Sequence, residues 1–159
     1  MSADKSEPGA RFAHVNLVAA DWRRLADFYQ DVFGCVPIPP ERDLQGEWLD
    51  RSTGLRDAHI RGTHLRLPGH GDDGPTLEIF EYAERSNRPP KALNVLGLAH
   101  LAFAVEDVEE TAGRILNAGG SAVGDLTRQE IPGAGTITFR YMADPEGNVI
   151  EIQRWITTK

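Results

Sequence analysis

The sequence predicts an α+β protein made of two copies of one strand–helix–several-strand unit. Three observations predict it. Short apolar segments with strand-like patterning open and close each half, and between them apolar residues recur at three- and four-residue steps. One superposition, at an offset of 86, lays His14 on His100, Asp21 on Asp107 and Gly34 on Gly120. Another, at an offset of 73, lays Leu77-Glu78-Ile79 over Ile150-Glu151-Ile152, so the first copy carries an insertion of 13 residues.

The elements follow in order. Residues 1–10 are polar, lack the apolar centre of a signal peptide and read as a loose tail. The first unit spans 11–84. Phe12 to Val18 is a strand entering a core. Asp21 is an N-cap for a helix whose apolar stripe is Trp22, Leu25, Phe28, Tyr29 and Phe33, closed by Gly34. Pro37, Pro39 and Pro40 break the chain beyond it, and Glu47 to Leu49 suggests a short strand. Ala58 to Leu67 alternates imperfectly as another strand. Pro68 to Pro75 is a turn by composition, and Thr76 to Tyr82 is a strand.

A linker over 85–96 is predicted from the polar, proline-bearing stretch that begins it. The second unit spans 97–156. Gly97 to Val105 is its first strand. Asp107 opens a helix carrying Val108, Ala112, Ile115 and Leu116, which ends at Gly119-Gly120. Strands are expected at Arg128–Glu130, Ile137–Met142 and Val149–Trp155, with turns at Pro132-Gly133 and Asp144–Asn148.

Composition narrows the function. The chain has 159 residues, with 17 Lys and Arg against 24 Asp and Glu, a formal charge of −7. Without a cationic run, a nucleic-acid partner is not expected. No stretch approaches the length of a membrane span, so no membrane partner is expected. The lone Cys35 excludes an intrachain disulfide and a cysteine-based zinc cluster, and fits a reducing, cytoplasmic setting. Its lack of a basic neighbour marks it as inert.

Four residues stand out because each copy repeats the same anomaly. His14 and His100 lie between apolar neighbours in the first strand of each unit; Glu78 and Glu151 do so in later strands. Side chains alternate faces along a strand. Leu77 and Ile79 can therefore pack inward while Glu78 points to the other face, and the same holds around Glu151. A lone strand histidine or glutamate is more often structural or solvent-facing, but duplication of both is hard to explain that way. Carboxylates held out of water need a partner, and a dication supplies one. Imidazole nitrogen with carboxylate oxygen suits one divalent transition metal, Zn, Ni, Co, Mn or Fe(II), better than Ca or Mg.

The segments AHVNLVAADWRRLADFYQDVFG, TLEIFEY, GLAHLAFAVEDVEE and DPEGNVIEI, within residues 11–155, resemble the vicinal oxygen chelate superfamily, also called the glyoxalase/bleomycin resistance/dioxygenase family. The resemblance implies two βαβββ modules forming a curved mixed sheet around a central metal cavity. It implies metal ligands at the first and last strands of each module, which here are His14, Glu78, His100 and Glu151. It also implies a small-molecule substrate chelated through neighbouring oxygens, and a homodimer.

Within the family, the order His, Glu, His, Glu resembles the ligand set of glyoxalase I, whose chemistry is proton transfer by a ligand carboxylate, here Glu78 or Glu151. Bacterial glyoxalases acting on glutathione adducts carry Arg four residues after the first ligand and Asn four after the second. This chain has Val18 and Tyr82 there, which argues against the glutathione adduct. Acyl-CoA epimerases usually offer Gln where this chain has Glu78. Extradiol dioxygenases would use His14, His100 and Glu151 on Fe(II), and Tyr141, Asp144, Pro145, Gly147 and Glu151 fit their signature spacing. The upstream histidine of that signature would fall at Pro132, Gly133 or Ala134. Bleomycin-resistance-like proteins, which sequester ligands, generally lack the quartet. A metal-dependent isomerase, epimerase or lyase is thus expected, ahead of a dioxygenase and a metal-free binding protein. His59, His64 and Tyr141 are candidates for contact with substrate. The two histidines are five residues apart, so in a regular strand at most one faces the cavity.

Overall fold

The computed structural model describes residues 10–87 and 92–157. The predicted tail lies almost wholly outside these residues, as do positions 88–91 of the predicted linker.

The first module consists of β1 (His14–Val18), α1 (Trp22–Phe33), β2 (Val36–Gln45), α2 (Glu47–Thr53), β3 (His59–Arg66) and β4 (Thr76–Tyr82). The second consists of β5 (Leu101–Ala104), α3 (Val108–Asn117), β6 (Ser121–Ala122), β7 (Thr127–Ile131), β8 (Gly135–Ala143) and β9 (Val149–Ile156). The architecture is α+β, with a four-stranded sheet ordered β1-β4-β3-β2 and a five-stranded sheet ordered β5-β9-β8-β6, β7 pairing with β8. In each, the first strand runs parallel to the last, β1 beside β4 and β5 beside β9. That pairing brings the histidine at the start of each module, His14 in β1 and His100 just before β5, beside the last-strand glutamate.

Both long helices begin as their caps predict. The Asp21 carboxylate accepts from the Arg24 N–H, and Asp107 accepts from the Glu110 N–H. Gly34 closes α1 in the left-handed conformation, φ 70°. The second helix stops just short of its glycines, with Ala118 at its C-cap.

Three readings of the sequence need correction. Glu47–Leu49 is not a strand. It opens the short helix α2, where the Leu49 and Asp50 N–H groups bond back to the Gly46 carbonyl and only Leu49 is buried. Three residues were too few for a periodicity to distinguish the two. The prolines at 37, 39 and 40 do not break the chain: β2 runs through them as the sheet's edge strand, its register with β3 shifting between Ile38 and Arg42. An edge strand has one side free of ladder bonds, so missing N–H groups are tolerated there. Finally, β5 starts at Leu101, and His100 sits immediately before the strand instead of within it.

A single apolar cluster joins the modules. Trp22, Leu25, Phe28 and Tyr29 of α1, Val108, Ala112 and Ile115 of α3, Leu77 and Ile79 of β4, and Ile150 and Ile152 of β9 all belong to it. Phe33 and Phe103 stack across the junction at 3.9 Å between ring centroids. The two long helices and one face of each sheet therefore share one core, and Glu78 and Glu151, which alternate with those apolar residues, lie on the other faces.

Candidate metal centre

The first carboxylate sits in a small polar cluster. His14 Nε2 is 3.3 Å from Glu78 Oε2, and His64 Nε2 is 3.1 Å from Glu78 Oε1. Asn16 Nδ2 donates to Oε2 at 3.2 Å. Strand pairing accounts for this. Glu78 lies directly between Asn16 on β1 and His64 on β3, and His14 shares the face of Asn16 two residues earlier. The His14 and His64 rings meet edge to face at 6.5 Å, and His64 packs likewise on Phe80 at 5.7 Å. Burial lowers the His64 pKa, with Arg42 and His14 adding to the effect and Glu78 opposing it.

The second carboxylate is simpler. His100 Nε2 is 3.0 Å from Glu151 Oε2. Tyr141, opposite Glu151 on β8, sets its ring edge to face against His100 at 5.2 Å. Burial, and then the Glu151 charge, raise the Tyr141 pKa. His100 Nδ1 is buried and has no hydrogen-bond partner among the described residues. Glu78 and Glu151 have only 11% and 13% of their side chains exposed, whereas the histidines beside them are more open.

The four predicted ligands thus come together as two His–Glu pairs. Among the described residues of one chain, no group of three or more His, Cys, Asp and Glu side chains is arranged to hold a metal ion. His14 and His64 bracket opposite oxygens of Glu78 and do not converge on one point. Each pair nonetheless suits a transition metal. Two ligand atoms about 2.1 Å from one ion and roughly at right angles to each other stand about 3 Å apart, close to the 3.3 and 3.0 Å found here.

Of the two candidate substrate histidines, His64 joins the Glu78 cluster. His59 instead lies 2.5 Å from Asp43 and lines a hollow of about 260 Å³ with Arg56, Tyr82 and Arg85, which contains neither pair. Asn16 was missed by the sequence reading, although its position two residues after His14 on one strand puts it on the same face.

Two sheets, each with its first and last strands parallel and a His–Glu pair across them, define a protein of duplicated βαβββ design. The chain belongs to the Glyoxalase/Bleomycin resistance protein/Dioxygenase superfamily, whose family model matches residues 11–152. Solved structures with similar folds include a glyoxalase family protein from Bacillus cereus (19% identity, TM-score 0.73, covering 98% of this chain and 99% of that one). A glyoxalase family protein from Enterococcus faecalis is similar at 24% identity and TM-score 0.59, with 90% and 96% covered. A V278E mutant of glyoxalase I from Zea mays matches at 21% identity and TM-score 0.61, covering 90% of this chain and 44% of that one. No curated protein matches.

Proposed function

We propose that the protein is a metal-dependent enzyme of the glyoxalase type that moves a proton at a carbon next to a carbonyl, as an isomerase, epimerase or lyase does. Its complete site joins the His14–Glu78 pair of one chain to the His100–Glu151 pair of a second copy. The observation that carries this reading is the duplicated pairing of imidazole Nε2 with a largely buried carboxylate oxygen at 3.3 and 3.0 Å. Assembly between chains is supported by the shared core, which takes the apolar face of both sheets and leaves the two carboxylates on their other faces.

One divalent transition metal at this site supplies Lewis-acid stabilisation of negative charge on the two neighbouring oxygens of a substrate. His14 and His100 offer Nε2 to it, and Glu78 and Glu151 offer carboxylate oxygens. One of these carboxylates takes the proton from the substrate carbon and gives a proton back to the product later in the cycle, so the residue is unchanged after each turnover. Val18 and Tyr82, where glutathione-dependent relatives have Arg and Asn, favour a substrate other than the glutathione adduct.

The test is elemental analysis of protein purified without a His-tag or chelator. About one Zn, Ni, Co, Mn or Fe per complete site is expected, falling strongly in Glu151→Gln and His100→Ala. Unchanged metal in both variants sinks the assignment. Mixing a His14→Ala/Glu78→Gln chain with a His100→Ala/Glu151→Gln chain then locates the site: metal uptake reappears in the mixture only if ligands come from two chains.

A further inference from the structure

The two carboxylates are held unequally. Strand register puts Asn16 and His64 on either side of Glu78, and Ala102 and Tyr141 on either side of Glu151. The duplication therefore preserves the His–Glu pairs and changes what surrounds them. Three side-chain nitrogens lie close to the Glu78 carboxylate: Asn16 Nδ2 donates a hydrogen bond to Oε2, while His14 Nε2 and His64 Nε2 stand at ion-pair distance from Oε2 and Oε1, at 3.3 and 3.1 Å. Among the described residues, Glu151 has only His100 within hydrogen-bond distance.

We propose that His64 and Asn16 are positioning residues that clamp the Glu78 carboxylate from both sides, so that the first module presents a fixed ligand and the second a freer one. This rests on the metal-site reading above. An ionised carboxylate only accepts, so the proposed clamp requires the proton on the His64 nitrogen that faces it. When His14 gives its Nε2 lone pair to a metal, it can no longer donate through that atom. Asn16 then remains on Oε2 and His64 on Oε1, and the orientation of the carboxylate survives. Tyr141 occupies the place opposite Glu151 that His64 occupies opposite Glu78, and packs its ring against His100 instead. Ala102, opposite Glu151 on the other side, has no polar atom on its side chain with which to replace Asn16. Groups that orient a ligand in this way typically change metal affinity 10–100-fold, roughly, when removed.

The experiment is zinc affinity, measured on the full chain by competition with a chromophoric chelator, for wild type, His64→Ala, His64→Gln and Asn16→Ala. The expected result is an affinity about 10–100-fold weaker in His64→Ala and Asn16→Ala, an unchanged stoichiometry at saturating zinc, and recovery of most of the loss in His64→Gln, whose amide can donate. A His64→Ala affinity within twofold of wild type overturns the clamp. So does loss of zinc from His64→Ala at saturation, which would make His64 a ligand itself. If wild type takes up neither zinc nor nickel, cobalt, manganese or iron(II), the metal-site reading fails, and the clamp is decided separately by long-range ¹H–¹⁵N spectra of the metal-free protein. His64 should carry its proton on Nε2 and shift in Glu78→Gln; an Nδ1–H form insensitive to that substitution overturns it.

Discussion

The Tyr29 hydroxyl donates a 2.9 Å hydrogen bond to Asp144 Oδ2, both residues being buried and 115 positions apart in the chain. It ties α1 of the first module to the turn between β8 and β9 of the second. Asp144 also organises its own turn, accepting from the Glu146 and Asn148 N–H groups on Oδ1 and from Asn148 Nδ2 on Oδ2. The DPEGN turn is therefore part of the joint between modules as well as the approach to Glu151.

Replacing Tyr29 with Phe should cost about 1–2 kcal/mol, because a buried hydrogen bond is lost while Asp144 keeps its other donors. The effect should depend on pH. Burial first, and then Asp144, push the Tyr29 pKa well above its usual value. A pKa raised on folding stabilises fully below the unfolded value, about 10 for tyrosine, and that contribution fades as pH rises toward the folded value. In urea titrations the stability gap between wild type and Tyr29→Phe should be widest near pH 8 and narrow above about pH 10. A gap that widens with alkali would contradict this.

Glu146 reaches across the same joint. Its carboxylate accepts from the Ala20 N–H at 2.7 Å and the Asp21 N–H at 2.8 Å, at the entry to α1. Glu146→Ala should destabilise by about 1 kcal/mol, the usual scale for losing such acceptors at a helix start. Glu146→Gln, which retains an acceptor oxygen, should lose less. Thermal unfolding of the pair provides the comparison, and equal losses would rule out the acceptor role.

Gly62 is required for space. A Cβ added there would lie 2.1 Å from the Ile79 carbonyl oxygen and 2.7 Å from the Phe80 ring, against the strand that carries Glu78. Gly62→Ala should therefore cost about 1–3 kcal/mol through overpacking and disturb β3 two residues before His64. Chemical denaturation measures the first effect, and a wild-type midpoint would show that the strands separate more easily than the structure indicates.

Cys35 should resist modification. It is buried at 3% exposure, and burial lifts its pKa to about 11. At pH 8 only about a thousandth of the thiol would be ionised, and the thiolate is the reactive form. A chromogenic disulfide reagent should label native protein very slowly and denatured protein promptly at one thiol per chain. Rapid native labelling would contradict the placement.

Most of the scaffold was legible locally. Asp21, Gly34 and Asp107 mark helix ends through hydrogen bonds made within a few residues, and Leu77 and Ile79 flank Glu78 in Thr76–Tyr82 because one face of β4 enters the core. The region from Pro37 to Leu49 was not legible. Whether prolines interrupt a strand depends on its place in the sheet, and Leu49 alone gives no period from which to recognise a helix.

The sequence by itself determined that His14, Glu78, His100 and Glu151 occur as a duplicated set, and that each glutamate faces away from its apolar neighbours. Alternation along a strand is enough for that. Only the tertiary structure decided which side chains meet. Parallel pairing of β1 with β4 and of β5 with β9 makes two His–Glu pairs, and among the described residues of one chain no three such groups are arranged to hold a metal ion. The register of β3 against β4 then puts His64 rather than His59 beside Glu78. Such contacts depend on how far one strand slides against another, which no single segment encodes.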